Sequence, residues 1–115
     1  MVTAKDERIK VNKPWGYELW FAKTDKYVGK IIFVKKGNRL SLQYHKEKDE
    51  TMYVLSGIAQ VVLDQEYRRV VTGDIIHIPP LVKHRIEALT DITIIEVSTP
   101  EVEDVVRIED DYGRG

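Results

Sequence analysis

The chain has 115 residues, 43% of them hydrophobic and 32% charged, which describes one soluble globular domain able to bury a core of its own. It has no cysteine, so disulfides and cysteine-ligated zinc are excluded. The net charge of -1 argues against a nucleic-acid binder, and no apolar run approaches the roughly 18 residues needed to span a bilayer.

The opening stretch, Met1 to Arg8, has no apolar core, so no signal peptide is expected and the cytoplasm is the expected location. The first dozen residues read as a helical turn or a frayed end. Beyond them, short Val- and Ile-rich stretches alternate with turn residues, the pattern of an all-β sandwich or barrel. Strands are expected over 15–21, 26–35, 40–45, 51–56, 59–64, 67–71, 75–78, 84–88 and 92–98. Turns fall at 36–38, 56–57, 64–66, 72–74 and 79–80. No segment keeps a helical period. The whole chain, 1–115, reads as a single domain with its core over about 13–100. The acidic segment 101–115 carries Val105, Val106, Ile108 and Tyr112 and is expected to pack on that core.

Charge is unevenly placed. Residues 1–50 hold 12 basic and 7 acidic side chains, and residues 51–115 hold 6 and 12. The two halves complement each other, within the fold or across a homodimer that would also cover edge strands; a local basic patch for an anionic substrate is the alternative.

The informative stretch runs from Gly37 to Gly57. On a strand alternate residues share a face, so Arg39, Ser41, Gln43 and His45 point one way and Leu40, Leu42 and Tyr44 the other. Four polar side chains facing a core would each need a partner, which suits a barrel with a polar mouth. Glu50 opens the next strand, and pairing of the two strands would bring it towards Gln43 and His45. A second stretch, from Gly73 to Arg85, contains the rigid turn Pro79-Pro80, after which His84 opens a strand. Two imidazoles, a carboxylate and an amide oxygen make a donor set for a divalent metal, with zinc, iron, nickel or manganese all chemically suited. Singly, each residue has an ordinary explanation as a satisfied strand histidine or a solvated glutamate. His77 stays in that ordinary class.

Taken together the two stretches resemble the cupin family. Gly37, Gln43, His45, Glu50 and Gly57 match the spacing of its first motif, with Gln43 where a His is usual. Gly73, Pro79 and His84 match the second, with Leu81 in place of a Gly and Ala88 in place of an Asn. The resemblance implies a double-stranded β-helix, or jelly-roll barrel. Lys13-Pro14-Trp15-Gly16, Leu40-Ser41-Leu42-Gln43 and Glu109-Asp110-Asp111-Tyr112-Gly113-Arg114 further resemble the type II phosphomannose isomerases, in particular the C-terminal cupin domain of the bifunctional isomerase–guanylyltransferases. In that family a Gln, a His, a Glu and a His hold zinc, which carries onto Gln43, His45, Glu50 and His84. This sequence departs from it in lacking the guanylyltransferase region, and in Lys46-Glu47 and Met52 where a His run and a Trp are usual.

The implied reaction interconverts mannose 6-phosphate and fructose 6-phosphate and needs a base, a metal to order the sugar oxygens and a cation for the phosphate. Glu96, a carboxylate inside an apolar strand, is the candidate base or else a salt-bridged structural residue. Arg39, Ser41 and Lys83 are candidate substrate-binding groups, and Arg85 and Arg107 candidate catalytic cations, with the 107–114 segment expected to close over the site. Arg39 is ranked first by parity, against a rim arginine that binds nothing. Two other readings use the same barrel: a non-catalytic sugar-binding module, and another metal-dependent cupin reaction such as oxygenation or nucleotide-sugar isomerisation.

Overall fold

The computed structural model describes residues 8–101 and 103–113. Eleven strands are present: β1 (Ile9–Lys13), β2 (Gly16–Lys23), β3 (Val28–Val34), β4 (Leu42–Tyr44), β5 (Glu50–Ser56), β6 (Ile58–Leu63), β7 (Glu66–Val71), β8 (Ile75–Ile78), β9 (His84–Ala88), β10 (Ile92–Ser98) and β11 (Val106–Glu109). They form two antiparallel sheets, ordered β1-β2-β3-β10-β5-β8 and β11-β4-β9-β6-β7. This is the expected jelly-roll barrel. No helix among the described residues is long and apolar enough to cross a membrane.

Two strands were not expected. Ile9–Lys13 pairs with β2 from Ile9↔Trp20 to Lys13↔Gly16, so this part of the N-terminal region is a strand and not a helical turn. Residues 1–7 of that expectation lie outside the described residues. Val106–Glu109 pairs with β4 and lays the C-terminal segment on the barrel. Both stretches alternate, Ile-Lys-Val-Asn and Val-Arg-Ile-Glu, but each is short and offers only two apolar residues, too few to stand out from an edge or a tail. The strand expected over 40–45 is shorter, and Arg39 makes only an isolated bridge to Glu87.

Two glycines are demanded by close approach. A Cβ on Gly16 would sit 2.0 Å from the Phe33 carbonyl oxygen, and one on Gly57 2.3 Å from that of Asp91. Asp64, at φ +53°, makes the tight β6–β7 turn in the left-handed region that Asp tolerates. Leu81 also lies there, at φ +73°. It occupies the position where a Gly is usual, so the backbone conformation persists although the residue has changed. Its side chain is 64% exposed and packs little, and its N–H donates to the His45 carbonyl at 2.7 Å. Leu81→Gly should therefore remove strain of about 1–2 kcal/mol at a smaller cost in unfolded-chain entropy. Urea unfolding should show a net gain of up to about 1 kcal/mol.

The barrel interior is divided along its axis. Inward positions on β10 read Ile92, Ile94, Glu96, Ser98, and on β3 Lys30, Ile32, Val34. On β5 they read Glu50, Met52, Val54, and on β9 His84, Ile86, Ala88. The apolar ends meet in one buried cluster around Val34, Val54, Val61, Ile86 and Ile94. The polar ends meet at the opposite mouth, and the site is there.

Candidate functional site

His45 and His84 come from one sheet side and Glu50 from the other, because β4 pairs with β9 and β11 while β5 pairs with β10 and β8. The expectation that Glu50 reaches Gln43 and His45 by strand pairing is thus corrected: it reaches across the barrel. The ligand atoms of His45, Glu50 and His84 all lie within 4.8 Å of one another, and all three residues are buried. Glu50 Oε1 is 3.7 Å from His45 Nε2 and 3.3 Å from His84 Nε2. Those three atoms have no hydrogen-bond partner among the described residues.

The other ring nitrogens are anchored. His45 Nδ1 contacts the Asp104 carbonyl, and His84 Nδ1 lies 2.9 Å from the Val82 carbonyl. A carbonyl only accepts, so each Nδ1 carries the hydrogen and each Nε2 points inward, where the neutral ring offers a lone pair. Two converging imidazole lone pairs and a buried carboxylate oxygen fit a divalent cation, with the outer carbonyls fixing ring orientation as metal-binding histidines require. Burial raises the Glu50 carboxyl, but His45, His84 and the Lys48 ammonium outweigh it and hold it well below the ordinary carboxylate range. Gln43 lines the same cavity, opposite His84 in the sheet. Ser41, fully buried, donates to Gln43 Oε1 at 2.5 Å and so orients that amide.

Glu96 enters from β10 and is 3% exposed. Burial and the nearby Glu50 charge push its carboxyl up to about 7. Lys48 stands between the two acids, 3.0 Å from Glu50 Oε2 and 3.2 Å from Glu96 Oε2. Burial lowers the Lys48 ammonium, but Glu96 and Glu50 together raise it, so it stays charged. Further along the wall, Lys30 pairs with Glu18 at 3.2 Å, and Trp20 Nε1 donates to Glu18 at 2.9 Å.

The arginines divide. Arg107 faces the cavity opposite Gln43, and its buried Nε has no hydrogen-bond partner among the described residues. Arg85 also lines it, but its Nε and Nη2 donate to the Leu40 and Glu109 carbonyls at 2.9 and 3.2 Å, tying the stretch before β4 to the C-terminal segment. Arg39 is placed elsewhere, which corrects the parity argument. The strand does not continue regularly back to Arg39, and its guanidinium pairs with Asp111 through contacts of 2.6 and 2.9 Å on the outer surface. Lys83 is exposed and lines an outer groove, not the cavity. His77 is a surface residue 2.7 Å from Asp49. Arg114 lies outside the described residues.

Three members of the site were not anticipated. Lys48 sits in a Lys-Glu-Lys run that reads as a solvated turn, yet only Lys48 of the three turns inward. Lys30 carried a signal, as the one charge in an otherwise apolar β3. Asp104 carried none. Its carboxylate accepts the N–H groups of Lys46, Glu47 and Lys48 at 3.0, 2.7 and 3.0 Å, while its carbonyl meets His45. Those amides, Glu47 foremost, hold its carboxyl below the ordinary value. The clamp is therefore complete above the unfolded Asp value and is lost as pH falls through the lowered one. Asp104→Ala keeps the carbonyl that meets His45 but removes the carboxylate clamp that positions it, so metal affinity should weaken by about tenfold, the low end for a disturbed outer partner, with the fold retained. Competition with a fluorescent chelator measures this.

A family model described as mannose-6-phosphate isomerase C-terminal matches residues 3–110. The chain is 36% identical over 109 residues to the mannose-1-phosphate guanylyltransferase of Escherichia coli K12, covering 90% of this chain and 23% of that protein. It is 35% identical to the alginate biosynthesis protein AlgA of Pseudomonas aeruginosa, again over 90% and 23%. It thus spans about a quarter of the length of these relatives. Among solved structures, KdgF from Halomonas is similar at TM-score 0.77 and 25% identity, covering 85% of this chain and 91% of that one. An RmlC-like cupin from Shewanella frigidimarina is similar at 0.76 and 19%, covering 89% and 92%.

Proposed function

Since the chain belongs to the mannose-6-phosphate isomerase C-terminal family and has the cupin fold, we propose that it is a metal-dependent aldose–ketose isomerase. Its substrate pair in this reading is mannose 6-phosphate and fructose 6-phosphate, supplying polysaccharide synthesis in the cytoplasm, and the protein is a homodimer. The observation that carries the reading is the buried His45–Glu50–His84 set beside an Arg107 Nε with no partner among the described residues: a cation site next to an anion site.

In this reading Gln43, His45, Glu50 and His84 hold one divalent ion, zinc by family resemblance, which when bound polarises the sugar oxygens. Arg107 pairs with the phosphate, and Ser41 keeps the Gln43 amide turned to the site. Glu96 removes the proton from C2 of the aldose and returns it to C1 of the enediol, while a proton passes from O2 to O1, so that the C1 carbonyl becomes a hydroxyl and the C2 hydroxyl a carbonyl. Its carboxyl, poised near 7, lets it both accept and release that proton. Lys48, kept charged between two carboxylates, holds Glu96 in place.

A coupled assay on mannose 6-phosphate, with metal added and with metal chelated, tests the proposal. Turnover only with metal is expected. Arg107→Ala should raise KM at least about tenfold and leave metal content unchanged, since a charged hydrogen bond to phosphate is worth about 1.5–3 kcal/mol. Absence of turnover in the metal-replete protein would sink the isomerase reading and favour a sugar-binding role.

A further inference from the structure

The inward side of the six-stranded sheet carries one charged row at the mouth. Across the strands it reads Trp20–Lys30–Glu96–Met52, each residue in register with the next on β2, β3, β10 and β5. The next row down reads Glu18–Ile32–Ile94–Val54. Glu18, Trp20 and Lys30 line the same cavity as the metal donors. The chemistry at Glu96 and the metal uses none of these three.

Lys30 is 5% exposed, and its Nζ lies 3.2 Å from Glu18 Oε1 and 4.7 Å from the centroid of the Trp20 ring. Trp20 Nε1 donates to the same Glu18 oxygen at 2.9 Å. The indole therefore fixes both charges, one through its N–H and the other through its face. Burial raises the Glu18 carboxyl, but Lys30 and the Trp20 N–H outweigh it and hold it below the ordinary carboxylate range. Stability alone does not ask for such a pair. Two buried charges are costlier than apolar residues of the same volume, and Ile32, paired with Glu18 in the sheet, shows that the wall closes without charge.

We propose that Glu18 and Lys30 read the sugar hydroxyls remote from the metal, those at C3 and C4, and so set which hexose phosphate is accepted. Neighbouring strands lie about 4.8 Å apart, so Lys30 stands one strand and Glu18 two strands beyond Glu96. A hexose with C1 and C2 at Glu96 extends its next carbons along this row. A hydroxyl both donates and accepts, and a carboxylate beside an ammonium meets both demands. An ammonium has three hydrogens; with Glu18 and the Trp20 ring as its neighbours, at least one is left for a ligand oxygen. The pair suits an uncharged part of the ligand and not the phosphate, because the Glu18 charge offsets that of Lys30 and repels an anion. The phosphate is left to Arg107. The inference rests on the sugar-phosphate reading above and assigns the part of the ligand that reading leaves without a partner.

Titration calorimetry on the zinc-loaded chain tests it with three ligands: 1,5-anhydromannitol 6-phosphate, which cannot isomerise, its 4-deoxy counterpart, and inorganic phosphate. Wild type should bind the 4-deoxy ligand at least about tenfold more weakly than the parent, as a site built to hydrogen-bond a hydroxyl rejects the analogue lacking it. Glu18→Gln/Lys30→Met removes both charges together, so neither is left buried without the other. That variant should bind the parent at least about tenfold more weakly and lose the preference over the 4-deoxy ligand. Its zinc content and phosphate affinity should be unchanged, and its melting temperature equal or higher. The wild-type comparison needs no variant, so it decides the matter even where the double variant fails to fold. Equal binding of parent and 4-deoxy ligand by wild type, or a folded variant that keeps wild-type affinity and preference, would overturn the subsite and leave the sugar-phosphate reading standing. A wild type that binds none of the sugar phosphate would remove both.

Discussion

Replacing His45 and His84 together by alanine is expected to reduce bound metal from one ion per chain to none, with loss of turnover to background. The two imidazoles supply both neutral nitrogen donors of the buried set, and Glu50 and Gln43 alone cannot complete a shell around a divalent ion. Either single substitution should strip most of the metal, whereas Gln43→Ala should weaken binding less, because an amide oxygen is a neutral and weaker donor. Metal analysis of the purified variants reads this directly. Full occupancy in the double variant would remove the site. Low pH should also release the ion, as protonated imidazoles cannot ligate.

Glu96→Gln should lower kcat by about 10²–10⁴, the usual contribution of a positioned general base, and leave metal content near one per chain. It should also change the pH profile. With a carboxyl near 7, wild-type kcat should rise as Glu96 ionises through that value, and the variant should lose that limb. Stability moves the other way. A carboxyl raised above its unfolded value keeps its proton more readily in the native state, so the native state is favoured below the unfolded Glu value and loses ground as pH climbs to about 7. The metal-free wild type should therefore melt lower at pH 8 than at pH 5.5 by this contribution, and Glu96→Gln should flatten the difference. A variant with wild-type kcat and pH profile would reduce Glu96 to a structural salt-bridge residue.

The barrel was legible because its strands are short apolar stretches, several of them dense in Val and Ile, and because glycines and prolines punctuate them. The gathering of His45, Glu50 and His84 was legible because motif spacing sets them at strand ends that the turns at Gly37 and Pro79 deliver to one mouth. What escaped depends on chain segments distant in sequence. β1 and β11 gain their conformation from partners, since neither has an apolar pattern strong enough to announce itself. Arg39 was misplaced because parity holds only while the strand does, and regular pairing on β4 starts at Leu42. Asp104 escaped because a carboxylate capping three amides 56 to 58 residues away leaves no local trace. Lys48 escaped for a related reason: its inward turn follows from two acids, Glu50 and Glu96, that only the fold brings together.

The axial division of the interior separates what keeps the barrel closed from what gives it chemistry. The far end is a dry packing of Val, Ile and Ala that needs no ion to cohere. The mouth gathers Lys30, Lys48, Glu50, Glu96, His45 and His84 out of water, and such groups are costly to bury even when paired. Exchanging the whole mouth set for apolar residues of similar volume would give an inert barrel with a higher melting temperature. It follows that the two ends can diverge at different rates. New ligands or substrates can be accommodated by altering a few inward positions at the mouth, with the shape inherited unchanged from below.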